Sequence, residues 1–113
     1  MPSRTPINIL FVEDSPHDAE LALLTLERNG YAVDAEIVFD HAGVVEALSR
    51  RCFDLILSDY VLPGYSGSQA LQEARQRAPD TPFIFLSGVF GEEHAVNMMR
   101  SGAIDYVLKQ NLG

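Results

Sequence analysis

Five polar residues stand at the ends of short apolar runs. Glu13 and Asp14 follow Phe11-Val12, Asp59 follows Ile56-Leu57-Ser58, Ser87 follows Phe85-Leu86, and Lys109 follows Val107-Leu108. Three of the five are carboxylic acids. Brought together by folding, such charges raise one another's pKa and cost stability. A hard divalent cation with oxygen ligands removes that cost, and Mg²⁺ typically takes one or two carboxylates, waters and a phosphoryl oxygen. Lys109 is the only lysine; every other basic residue is arginine. A compact ammonium on a flexible stem suits a point contact to a phosphate or carboxylate better than a planar fork does. Each feature has an ordinary reading by itself: an acidic loop pair, a turn former ahead of Pro63-Gly64, a solvated lysine near the chain end. Their shared placement after strands is what suggests a magnesium site of Glu13, Asp14 and Asp59 with an ammonium beside it.

The elements that must position these residues alternate. Ile7-Asn8-Ile9-Leu10-Phe11-Val12 is a short apolar run rich in β-formers, suited to a buried strand. Ser15-Pro16 is a helix start, and Ala19, Ala22, Leu23 and Leu26 then fall on one face until Asn29-Gly30 stops the helix. The pattern recurs. A strand is predicted over 33–39, with Asp40 capping a helix that carries Val44, Ala47 and Leu48. Leu55-Ile56-Leu57 forms a third strand. After the turn-rich Pro63-Gly64-Tyr65, Ser66 opens a helix through Ala70, Leu71 and Ala74 that ends before Pro79. Phe83-Ile84-Phe85-Leu86 is the fourth strand. Glu92 and Glu93 open a fourth helix, as the helix dipole favours, with Ala95 and Met99 facing inward, and 104–108 is the fifth strand. Strands alternating with helices of this length predict an α/β fold, a doubly wound five-stranded parallel sheet. Right-handed crossovers favour the flavodoxin-like order 2-1-3-4-5. In such sheets ligands bind outside the carboxyl ends of the strands, where the polar residues fall.

Length and charge narrow the function classes. The 113 residues make one domain, with residues 1–6 a flexible lead-in, and 47% hydrophobic residues supply a real core. A net charge of −8 disfavours direct nucleic-acid binding or an acidic membrane face. No apolar run approaches the roughly 18 residues of a membrane span. The single cysteine, Cys52, excludes an internal disulfide framework and fits a reducing cytoplasm. It is expected to be small, buried or half-buried, and without redox duty. Only five residues follow strand five, so the expectation is a domain truncated after Gly113, its fifth helix short or absent, with an output domain able to follow.

With these residues in place, the chain resembles the receiver domains of two-component response regulators over residues 8–111. The carriers are Val12-Glu13-Asp14, Asp54-Leu55-Ile56-Leu57-Ser58-Asp59, Leu62-Pro63-Gly64 with Gly67, Leu86-Ser87-Gly88, and the stretch from Gly102-Ala103 through Tyr106 to Lys109. The resemblance implies that Asp59 is the phosphoacceptor, taking a phosphoryl group from a histidine kinase or histidine phosphotransfer protein. It implies Mg²⁺ held by Asp14 and Asp59, with Glu13 acting mainly through a water and the backbone carbonyl of Val61 completing the protein ligands. It makes Lys109 and Ser87 the phosphoryl contacts, and Ser87 with Tyr106 a switch. Hydrogen bonds to charged groups contribute roughly 1.5–3 kcal/mol each, so two or three approach the roughly 5.5 kcal/mol that inverts a 1:99 equilibrium.

Departures and rivals complete the reading. Gln110 stands where many receivers have proline. Val61 and Val89 are apolar where the family often orients a hydrolytic water, which predicts slow self-dephosphorylation. A dehalogenase-type phosphatase would need a second acid at Val61. A flavin or nucleotide site would need a phosphate loop where Glu13-Asp14 stands. A phosphorylation-independent interaction domain of the same fold is the alternative, and an ordinary enzyme is not expected. Leu21 and Leu24 are expected partly exposed as ordinary scattered surface leucines; the alternative that the resemblance implies is that Leu21 joins His17 and Asp18 in a kinase-docking patch. Val96 and Met98 could join Tyr106 in a reporting surface. His17, His41 and His94 show no ligand spacing.

Overall fold

The computed structural model describes residues 4–59, 61–62, 64–87 and 105–108, with backbone alone for Val61, Ser87 and 105–108. Along the chain run β1 (Thr5–Val12), α1 (Pro16–Arg28), β2 (Tyr31–Val38), α2 (His41–Arg50), β3 (Leu55–Asp59), β4 (Val61–Leu62), β5 (Tyr65–Ser66), α3 (Gly67–Arg77), β6 (Phe83–Ser87) and β7 (Asp105–Leu108). Five strands form one parallel sheet in the order β2-β1-β3-β6-β7. Setting aside the two-residue hairpin strands β4 and β5, this is the 2-1-3-4-5 order expected from the sequence.

Strand alternation divides the core into two layers. Leu10 and Val12 of β1, Ile56 of β3 and Phe83 and Phe85 of β6 pack with Val44 and Ala47 of α2 and Ala70, Leu71 and Ala74 of α3. The intervening residues Ile9, Phe11, Leu57 and Leu86 pack with Ala22 of α1, flanked by Leu23 and Leu26. Helices therefore lie on both faces of the sheet, as apolar-on-both-sides strands require.

Each described helix starts where its cap was expected. The Ser15 side chain accepts from the Asp18 N–H with Pro16 in the first turn, and Asp40 accepts from Gly43 N–H at 2.8 Å. Ser66 and Gln69 make a reciprocal capping box at α3. At the α2 start a side chain at position 43 would bring a Cβ within 2.9 Å of Val38 Cβ, so Gly43 lets the helix sit tight against the end of β2.

Several details differ from the sequence reading. Thr5 and Pro6 are strand rather than lead-in, paired with Tyr31 and Ala32. Proline is tolerated there because β3 does not begin pairing with β1 until Ile9, leaving one side of the strand open at Pro6. β2 spans Tyr31–Val38, so Phe39 falls outside it and is 59% exposed. Cys52 is exposed, contrary to expectation, because Phe53 takes the inward place in the connection to β3. The expected fourth helix with Glu92, Glu93, Ala95 and Met99 lies outside the described residues, as do His94, Val96, Met98, Val89 and Gln110. Among the described residues no helix is long and apolar enough to cross a membrane.

Candidate functional site

The site is built by the stagger of the parallel ladder. Val12 of β1 pairs with Ser58 of β3, so Glu13 and Asp59 emerge level with each other from adjacent central strands. Asp59 pairs with Leu86, which places Ser87 one step further along β6, and Ser87 pairs with Leu108, the residue before Lys109. The ends of β1 and β3 thus bring Glu13 and Asp59 to one rim, with the end of β6 beside them.

The three acids come together. One carboxylate oxygen from each of Glu13, Asp14 and Asp59 lies within 4.8 Å of the others. Glu13 and Asp59 are 2% and 8% exposed, whereas Asp14 is open to solvent. Glu13 is held at both ends: its N–H donates to Val38 O at 2.8 Å, and its Oε1 accepts from Ser15 N–H at 3.1 Å. The residue that caps α1 therefore also steadies the buried acid. An all-oxygen set of one exposed and two buried carboxylates fits a hard divalent cation, with the open side at Asp14 left for water or a ligand oxygen.

Of the other sequence candidates, Ser87 and Tyr106 are placed by backbone only, on β6 and β7, with Phe85 paired to Tyr106. Val61 opens β4, two residues beyond Asp59. Lys109 lies outside the described residues. Leu21 is half-buried and Leu24 is 40% exposed, as expected, while His17 is exposed.

Two features next to the acids escaped the sequence reading. The first is the hairpin that follows Asp59, in which Val61 pairs with Ser66 and Leu62 with Tyr65. Gly64 takes φ +67, the left-handed conformation that a Pro-Gly turn asks of its second residue. Two short β-prone pairs around Pro63-Gly64 were the available signal. Leu62 and Tyr65 anchor the hairpin in the core beneath α3. The Tyr65 ring meets His41 edge-on at 6.0 Å, and its hydroxyl is buried with no hydrogen-bond partner among the described residues. Burial, then the charges of Glu73 and Asp40, push this phenol up to about 12. The second is Ser58, fully buried, whose hydroxyl donates to the Asp59 carbonyl at 2.9 Å. A serine inside an apolar strand gave no local pattern to read.

A family model, the response regulator receiver domain, matches residues 9–112. The chain belongs to that family. The receiver is 36% identical over 104 residues to the phosphate regulon transcriptional regulatory protein PhoB of Escherichia coli, covering 89% of this chain and 44% of PhoB. It spans less than half the length of that relative. The signal receiver domain of a signal transduction histidine kinase from Syntrophus aciditrophicus superposes with TM-score 0.75 at 31% identity, covering 91% of this chain and 78% of that one. A response regulator from Burkholderia pseudomallei with a phosphorylated aspartic acid, calcium ion and citrate superposes with TM-score 0.76 at 26% identity, covering 91% and 59%. As a receiver the domain is a regulatory phosphoacceptor module of two-component signalling rather than a catalyst in the ordinary sense.

Proposed function

We propose that the receiver accepts a phosphoryl group onto Asp59 from the phosphohistidine of a histidine kinase or histidine phosphotransfer protein in the cytoplasm, without itself being an enzyme. The meeting of three carboxylates within 4.8 Å at the ends of adjacent central strands carries this reading. The related Burkholderia protein, with its phosphorylated aspartate and calcium ion, supports it. In the transfer an Asp59 carboxylate oxygen attacks phosphorus, the bond from phosphorus to the donor's imidazole nitrogen breaks, and the imidazole leaves with its electron pair. Little else is asked of the protein, since phosphoryl transfer depends on positioning and charge neutralisation. Asp14 and Asp59, with Glu13 and the carbonyl of Val61, would hold Mg²⁺. Bound there, that ion offsets the negative charge that the acids and the incoming phosphoryl oxygens accumulate. Glu13, fastened to Ser15 and Val38, keeps its place while the others engage.

Ser87 and Lys109 are proposed to contact the transferred group, and Ser87 with Tyr106 to convert its arrival into a change of surface. Val61 and Val89 are proposed to leave hydrolytic water poorly oriented, so that introducing V61N and V89E together shortens the phosphoryl lifetime, measured as loss of label after donor removal. An output domain beyond Gly113, with no nucleic-acid contact by the receiver itself, completes the proposal. The deciding experiment is incubation with Mg²⁺ and acetyl phosphate, read by intact-protein mass. An acid-labile phosphate adduct that disappears in Asp59→Asn is expected. An adduct that survives that substitution, or none in the unsubstituted protein, would overturn the reading and leave a phosphorylation-independent module.

A further inference from the structure

Ser58 is fully buried in the central strand, level with Val12 and Phe85, which are themselves 0% exposed. Valine or alanine would fill that apolar place without the cost of desolvating a hydroxyl. The hydroxyl is not idle: its proton goes to the carbonyl oxygen of the very next residue, Asp59, at 2.9 Å. That carbonyl lies where the sheet ends. The ladder to β1 closes at Val12 with Ser58, the ladder to β6 reaches Asp59 with Leu86, and β4 begins at Val61. The bond therefore restrains ψ at Asp59, where the chain leaves the sheet, and backbone φ/ψ limits which rotamers the Asp59 side chain takes.

We propose that Ser58 is a positioning residue: its hydroxyl fixes the peptide plane after Asp59 and so holds the acceptor carboxylate in the attacking orientation. This rests on the reading of Asp59 as phosphoacceptor. The bond joins a side chain to its own neighbour's carbonyl, so it adds little to how the elements pack. What it removes is rotational freedom at one peptide, the kind of preorganisation that appears in a rate rather than in binding. Two neighbouring features make the peptide worth fixing. Asp59 belongs to the three-acid cluster, and Tyr65, paired with Leu62, locks the far side of the same hairpin into the core.

The test compares the unsubstituted receiver with S58A, S58T and D59N, using acetyl phosphate as donor at saturating Mg²⁺ and intact mass as readout. Thermal melts of each variant select a temperature at which all are folded. S58A is expected to lower the phosphorylation rate constant at saturating donor about tenfold with the donor KM changed less than about twofold. S58T, which keeps the hydroxyl on a β-branched side chain suited to a strand, is expected to restore the rate to within about twofold of the unsubstituted receiver. An S58A rate equal to that of the unsubstituted receiver, an effect confined to KM, or an S58T as slow as S58A would overturn the assignment. Absence of any adduct lost in D59N would instead overturn the acceptor reading on which it stands, so the two failures are told apart.

Discussion

The two ends of the sheet treat charge in opposite ways. Around the amino end of β3, acids of β2 meet bases from the end of α2. Arg50 pairs with Glu36, and Arg51 reaches Asp34 at 3.4 Å and Glu36 at 3.9 Å while donating to Asn8 Oδ1 at 3.3 Å. The Arg51 guanidinium also sits 4.8 Å from the Phe53 ring centre. At the carboxyl ends, acids are set against acids, three within 4.8 Å of one another. A fold gains nothing in stability by gathering like charges. The amino end holds its elements together through opposite charges, whereas the carboxyl end gathers three acids able to hold a metal ion.

That contrast can be broken most directly at Asp14. Asp14→Asn should weaken Mg²⁺ binding by more than about tenfold, followed by calorimetric titration, because it withdraws the exposed ligand and a charge together. An unchanged affinity would show that the acid cluster is not the cation site. The amino end gives the next effect. Arg51→Ala should destabilise the receiver by about 1–2 kcal/mol in urea unfolding, as two ion pairs, a hydrogen bond and the contact over Phe53 are lost together.

The sign should reverse at the other end. Without metal, Asp14→Asn should stabilise the fold by roughly 0.5–1 kcal/mol, the order of the repulsion between charges about 5 Å apart near solvent. A loss of stability there would erase the distinction between the two ends. With Mg²⁺ present the unsubstituted receiver should gain in Tm and the variant should not, because only a bound ion shifts the folding equilibrium.

The smallest expected effect sharpens the boundary between the ends. Tyr65→Phe should be neutral or stabilising by up to about 1 kcal/mol, since it removes a buried hydroxyl without a described partner. Its alkaline behaviour has a definite sign. The folded phenol keeps its proton up to about 12, against the ordinary 10.0. Above that ordinary value the unfolded chain binds fewer protons than the folded one, so the stability present below pH 10 falls as pH rises toward 12. Unfolding measured across that range should lose this part of its slope in Tyr65→Phe.

Much of the architecture was legible locally. Ser15-Pro16, Asp40 and Ser66 mark their helices because a cap is a contact over three residues, and the core faces follow from periods of 3.6 and 2. The hairpin after Asp59 was readable only as a turn, since two-residue strands are too short to show a period. The inclusion of Thr5 and Pro6 in β1, and the outward turn of Cys52, depended on what lay beside them: a neighbouring strand in the first case, a competing Phe53 in the second.

By itself, the sequence determined which residues could do chemistry, on which strand ends they sit, and the doubly wound order that gathers those ends. Only the tertiary structure decided that Val12 stands against Ser58, that three acids therefore close to within 4.8 Å, and that a buried serine hydroxyl is spent on the Asp59 carbonyl. The physical reason is range. Caps and periodicities are written in consecutive residues, whereas the register of a parallel ladder joins segments more than forty positions apart and is fixed by how both helical layers pack against the sheet.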